Sequence, residues 1–185
     1  MSLSVENLRG QGYDNDSNMK GKGNGVQRRM MEINPRASFV PCSAYSLNLV
    51  VNDAARCCLE ASSFLNLVQH VYVFFSGSTC HWEILTCHVN SLTVKLLSQT
   101  RWESRIDGLK PLHCELGNIY DALIEISDDT IFTGSSGNTA HSDAEALANG
   151  FSKFKFVTSL ILWYNSLFEI NLTSKQLQEK DLNIL

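Results

Sequence analysis

Nowhere in this chain of 185 residues does an apolar run last long enough to cross a bilayer. The longest candidate, residues 156–170, is interrupted by Thr158, Ser159, Asn165, Ser166 and Glu169, whereas a spanning helix needs about 20 predominantly apolar residues. The first nine residues lack the basic start and apolar stretch of a signal peptide. Its six cysteines are therefore expected in a reducing compartment, nuclear or cytosolic rather than secreted. There is no Cys-x-x-Cys pair, which excludes an autonomous zinc finger. Cys80-His81 and Cys87-His88, if helical, stand about 10 Å apart along the axis, too far for one tetrahedral zinc. Gly21, Gly23 and Gly25 are not followed by the Gly-Lys-Ser/Thr of a phosphate loop. There is no internal repeat, and no histidine is marked as part of a Ser-His-Asp or Cys-His arrangement.

What is present is an ordinary globular composition, with 44% hydrophobic and 18% charged residues, which argues against wholesale disorder. The net charge of -4 conceals an asymmetry: residues 1–36 carry six Lys/Arg against four Asp/Glu, the remainder nine against fifteen. Lys20, Lys22, Arg28, Arg29 and Arg36 are able to neutralise phosphates, yet such scattered charges read first as a solvated helix face. The chain as a whole does not have the charge of a strong nucleic-acid binder.

Local signals predict an extended segment over 8–13, a glycine-rich loop or poorly formed helix start over 18–25 and a short helix over 26–33. The helix must stop before Pro35, because the residue preceding a proline is pushed out of the helical region. Residues 37–40 predict a strand ending at Pro41 or Cys42. A helix is then expected from Tyr45 to about Cys58, where Leu47, Val50, Val51, Ala54 and Ala55 fall near one face. A second is expected over 61–75 on Phe64, Leu65, Val68, Val71, Tyr72 and Phe75. Ser78 is placed to cap a third, running through Trp82, Ile84, Leu85 and Val89. Two capping boxes, Thr100-x-x-Glu103 and Ser142-x-x-Glu145, predict further starts. The first opens a stripe of Ile106, Leu109, Leu112, Leu116, Ile119, Tyr120 and Leu123, which Pro111 should kink or break. The second opens one continuous stripe of Leu147, Phe151, Phe154, Val157, Leu160, Ile161, Tyr164 and Phe168. Between them residues 127–141 read as a mobile polar loop.

Asp14 follows the extended segment and precedes a glycine-rich turn, where a strand end is able to present a carboxylate to Mg²⁺. Asp-Asn at a turn is also a common local backbone cap. Asp16 gives the region a second carboxylate with the same alternative. Cys57 and Cys58 read as helical core or surface thiols, and Asp121, Glu125, Asp128 and Asp129 as a solvated helix end.

Several short stretches recur here in one order and spacing: 10–14, 25–27, Asn34-Pro35-Arg36-Ala37, 42–50, Phe74-Phe75-Ser76, Trp82-Glu83-Ile84-Leu85 and Thr100-Arg101-Trp102, then 154–162 and 174–178. Together they resemble the transposases of the hAT (hobo/Activator) superfamily, especially the branch similar to zinc finger MYM-type protein 1. The likeness covers nearly the whole chain. It implies an α+β, mostly α architecture: a fragment of a ribonuclease H-like core over 1–58, followed by a helical insertion domain over 59–185. Members of the family cut and join DNA with two Mg²⁺ or Mn²⁺ ions held by two Asp and a distant Glu. By the resemblance Asp14 matches the second Asp and a metal ligand. Cys42 matches the first member of a Cys-x-x-His pair. Arg101 and Trp102 match a dipeptide that meets the DNA end, with Trp102 able to stack on an unpaired base.

The sequence also departs from the family. Tyr45 stands where the pattern has His, and a phenol does not replace imidazole as donor, acceptor or positive charge near neutral pH. Asp16 replaces a small residue. The first Asp and the distal Glu have no counterpart, since Glu169 and Glu179 stand in the wrong context. The expectation is a non-catalytic fragment or domesticated remnant of a DNA transposase, binding no metal tightly. DNA, or a protein met through exposed helical surface, is the expected partner, with no membrane association. The alternative is part of an active metal-dependent cut-and-paste transposase.

Overall fold

Pro35 and the short apolar runs on either side of it organise the front of the chain. The computed structural model describes residues 4–13, 17–21, 25–97, 102–128 and 134–177. It divides into two compact units, Met1–Asp53 with Ser174–Leu185, and Ala54–Thr173.

In the first unit a 3-10 turn (Val5–Asn7) leads into strand β1 (Gly10–Tyr13). A four-residue helix α1 (Ser17–Lys20) and helix α2 (Val26–Ile33) follow, and the chain returns as strand β2 (Ser38–Pro41). Helix α3 (Ser43–Cys57) comes next. The 3-10 turn was not expected, and α1 falls where the glycine-rich sequence allowed a loop or a poorly formed helix start. β1 and β2 pair in parallel, with Gly10 opposite Ser38 and Tyr13 opposite Pro41. A parallel pair needs a crossover, here containing α2, rather than a tight hairpin. Pro41 is tolerated because it is the last residue of its strand, where a missing N–H disrupts little of the ladder. On α2, Arg28 pairs with Glu32 at 3.1 Å, an exposed i,i+4 contact that adds little stability.

The second unit is helical. Helix α4 (Leu59–Ser76) buries Ala61, Phe64, Val68, Val71 and Phe75, the three- and four-residue spacing of one helix face. Helix α5 (Thr79–His88) starts where expected, with Ser78 Oγ accepting a hydrogen bond from the His81 amide at 3.4 Å. The extended segment after it returns along α4, and the Leu97 amide donates to Gln69 Oε1 at 3.1 Å. Gly108 permits this approach, since a Cβ there would stand 2.6 Å from Leu97 Cδ2.

Helix α6 (Trp102–Asp128) buries Ile106, Leu109, Leu112, Ile119, Leu123 and Ile126. Its kink carries non-helical angles at Glu115 (φ -125°, ψ 24°), four residues beyond Pro111. Proline disturbs the turn before it, so the kink lies on the opposite side of Pro111 from the one expected. Helix α7 (Gly134–Phe151) corrects two expectations. Residues 134–141 are helical rather than a mobile loop, and Ser142 and Glu145 lie inside the helix instead of capping it. Packing is the reason: Ala144, Leu147, Ala148 and Phe151 are buried, with α7 lying mainly on α6, and tertiary contact overrides the weak propensity of Gly and Ser. The Thr100 capping box and residues 129–133 of the expected loop lie outside the described residues.

The last stripe is also corrected. The chain breaks at Ser152-Lys153 and resumes as helix α8 (Phe154–Leu177). The break rephases the buried face, which becomes Phe156, Leu160 and Leu167, while Phe154 is 85% exposed and Ile161 and Phe168 are exposed as well. Phe156 stacks on Phe151 (centroids 4.9 Å apart, 16°) and tilts against Phe64 (5.4 Å, 47°), joining α4, α7 and α8 in one aromatic cluster. Among the described residues no helix is long and apolar enough to cross a membrane.

Candidate functional site

The front unit builds a strand edge from a buried amide network. Asn34, 4% exposed, donates through Nδ2 to the carbonyls of Leu8 (2.7 Å), Val5 (2.9 Å) and Glu6 (3.1 Å), and its Oδ1 accepts from the Arg36 amide at 3.0 Å. One side chain thereby ties the 3-10 turn to the turn between α2 and β2. Gln11, also buried, donates to the Ala37 carbonyl at 2.9 Å and accepts from the Tyr13 hydroxyl. The Tyr13 ring lies against Phe39 at 5.2 Å, and desolvation raises its phenol above the ordinary value.

This network braces the backbone leading into the two strands, and their parallel register then sets the carboxyl ends, Tyr13 and Pro41, side by side at one edge. Such edges, with their loops, are where open α/β sheets bind ligands. Tyr13 and Pro41 are partners in the register, so the residues next in sequence are Asp14 and Cys42. Asp14 itself, with Asp16, lies outside the described residues. Cys42 is half-buried, and its carbonyl accepts from the Ser46 amide and hydroxyl, each at 3.0 Å, in the first turn of α3. Tyr45, three residues on, falls on the same side of that turn.

Arg101 lies outside the described residues. Trp102 opens α6 in the second unit. One turn along, Arg105 has its pKa pulled below the ordinary value, first by burial and then by repulsion from Arg56. Positive charge is therefore concentrated near the start of α6.

No family model matches this chain, and no solved structure matches it significantly.

Two polar features of the helical unit carry no plain sequence signal. Glu115, 8% exposed, accepts from Asn118 Nδ2 at 2.8 Å, from the Asn90 and Ser91 amides at 3.2 Å each, and from Ser91 Oγ at 3.3 Å. It closes the segment after α5 onto the kink of α6. The Asn118 amide, with the backbone donor of Asn90, holds this carboxyl below the ordinary carboxylate range, against the opposing effect of desolvation. The only hint was a carboxylate placed four residues after an in-helix proline. Glu125, expected as part of a solvated helix end, is exposed there and also stands 2.6 Å from His88 Nε2.

The tempting Cys-His pairs resolve differently. His81 is buried with its ring stacked on Phe74 (4.6 Å, 19°) and Nδ1 3.2 Å from the Phe74 carbonyl. All six cysteines are free, Cys42 half-buried and the others exposed. Among the described residues no group of three or more His, Cys, Asp or Glu is placed to hold a metal ion.

Proposed function

We propose that this chain derives from a hAT-type DNA transposase. Its first unit corresponds to part of the ribonuclease H-like core, its second to the helical insertion, and it acts by binding nucleic acid or protein rather than by cutting DNA. The supporting observation is the order of the first unit, a strand, two helices, a second strand and a helix, whose parallel strands end in register at the residues before Asp14 and Cys42. A metal-bearing Asp at the end of a core strand requires such an edge. Asp14 would hold the Mg²⁺ or Mn²⁺, which when bound activates water or a DNA 3′-hydroxyl. Tyr45, in place of the expected imidazole, weighs against cutting. Positive charge at Arg105, close in sequence to Arg101 and Trp102, and at Arg56, which repels it, supports contact with DNA.

Mn²⁺ titration followed by NMR tests the strand edge. The amides of Gly12, Tyr13 and Cys42 are expected to broaden first, and Asp14→Asn to remove that broadening. Undiminished broadening in the variant would sink the assignment. Binding to a DNA duplex with an unpaired end tests the second element. Trp102→Ala is expected to weaken binding by roughly tenfold, the loss of one base–aromatic stack, and to leave fully paired duplex unaffected. Equal losses on both substrates would remove Trp102 from the DNA end.

A further inference from the structure

Between α4, α7 and the start of α8 lies a cavity of about 270 Å³ that the proposed ancestry does not use. Its apolar wall is formed by Phe64, Leu67, Ala146 and Phe156, and its rim by Lys153 and Lys155. Gly150 brings α7 close to α4 here, since a Cβ on it would stand 3.0 Å from Leu67 Cδ2. A second cavity, about 350 Å³, continues along the same two helices past Ala146, which lines both, to Val73, Phe74 and Leu147, and is also lined by His70 and Asp143.

The two lysines are not equivalent. Lys155 is 3.4 Å from Glu60, whose carboxyl is held below its ordinary value by its own backbone amide, by Cys58 and by Lys155. Glu60 therefore stays ionised and neutralises one lysine. The Lys153 ammonium has no ion pair among the described residues. A largely apolar trough, with a lysine unpaired among the described residues at one end and the Asp143 carboxylate toward the other, matches a molecule with an apolar body and a single negative head at the Lys153 end.

We propose that the helical unit binds a small amphiphilic anion, an alkyl or aryl carboxylate or sulfonate, with its body along α4 and α7 and its head at Lys153. The first cavity alone falls just below the range of small-molecule sites, about 300 Å³ upward, and the site enters that range if the ligand extends past Ala146. Charge at the rim orients the molecule, while the apolar wall supplies affinity of up to about fourfold for each methylene buried.

The probes are 1-anilinonaphthalene-8-sulfonate and its uncharged counterpart N-phenyl-1-naphthylamine, titrated into the full chain by fluorescence. Both are expected to bind at one site per chain. Lys153→Glu should weaken the sulfonate by roughly tenfold or more while leaving the neutral dye unchanged, with Lys153→Gln intermediate. Ala146→Trp, which fills the wall, should abolish both. Lys153 and Ala146 are exposed, so none of these substitutions removes a core contact. Decanoate is expected to displace the sulfonate, and decanol to do so far less well. Unchanged sulfonate affinity in Lys153→Glu, equal losses of the two dyes in that variant, or retained binding in Ala146→Trp would each overturn the proposal.

Discussion

Replacing Phe75 by alanine is expected to lower the stability of the helical unit by about 3–5 kcal/mol, the usual range for emptying a core aromatic site. Phe75 is fully buried on the inner face of α4, with its ring edge-on to Phe74 at 5.4 Å. The substitution removes apolar contact and leaves a void that rigid neighbours do not fill. The midpoint of thermal unfolding should fall by roughly 10–20 °C for a unit of this size. Phe154→Ala is the matched comparison, because Phe154 is 85% exposed, and its effect should stay within about 0.5 kcal/mol. Circular-dichroism melts of the two variants read the difference directly. Similar losses in both would mean that α4 does not carry the core as described.

The second large effect belongs to Glu115. Its carboxylate faces four donors from Asn90, Ser91 and Asn118, so Glu115→Ala strips every one of them of its acceptor. A fall in unfolding midpoint of about 10 °C is expected at neutral pH. Glu115→Gln should be nearly as damaging, since its amide group turns a donor toward other donors. The effect has a sign in pH. A carboxyl held low in the folded state stabilises fully above its ordinary value of 4.5 and loses that contribution as pH falls through the depressed folded value. The stability gap between wild type and Glu115→Gln should therefore be widest above pH 4.5 and narrow below it. Denaturant titrations at pH 7 and at pH 3 measure it, and a gap that does not change between them would remove Glu115 as an ionised acceptor.

Glu115 also marks the limit of what single-sequence reasoning reaches. Elements whose boundaries are set by local chemistry were legible: α2 stopping before Pro35, β2 around Phe39, and α5 capped by Ser78. Elements set by packing were not. Gly134, Ser135, Ser136 and Gly137 have the composition of a loop, but the helix they begin is held by Ala144, Leu147 and Ala148 further along, and residue order alone does not reveal that partner. The break at Ser152-Lys153 was hidden for a related reason, since the apolar residues on both sides fit one continuous period closely enough to mask a change of phase. In the candidate site, the resemblance pointed to Cys42, which follows β2, and to Trp102, which opens α6. It did not reveal the Asn34 and Gln11 amides that brace the strand edge, because an isolated Asn or Gln has no period to betray burial.

Asn34 has a kinetic consequence as well. β1 and β2 meet only after the chain from Tyr13 to Ser38 has closed on itself, so the pairing pays loop entropy before any ladder bond rewards it. Asn34 grips the backbone at Val5, Glu6 and Leu8 from the far side of that closure, so its bonds form in the same event. The front unit has few independent ways to open: strand pairing and side-chain clamp are lost together, and its slowest-exchanging amides should report one shared opening rather than a graded series.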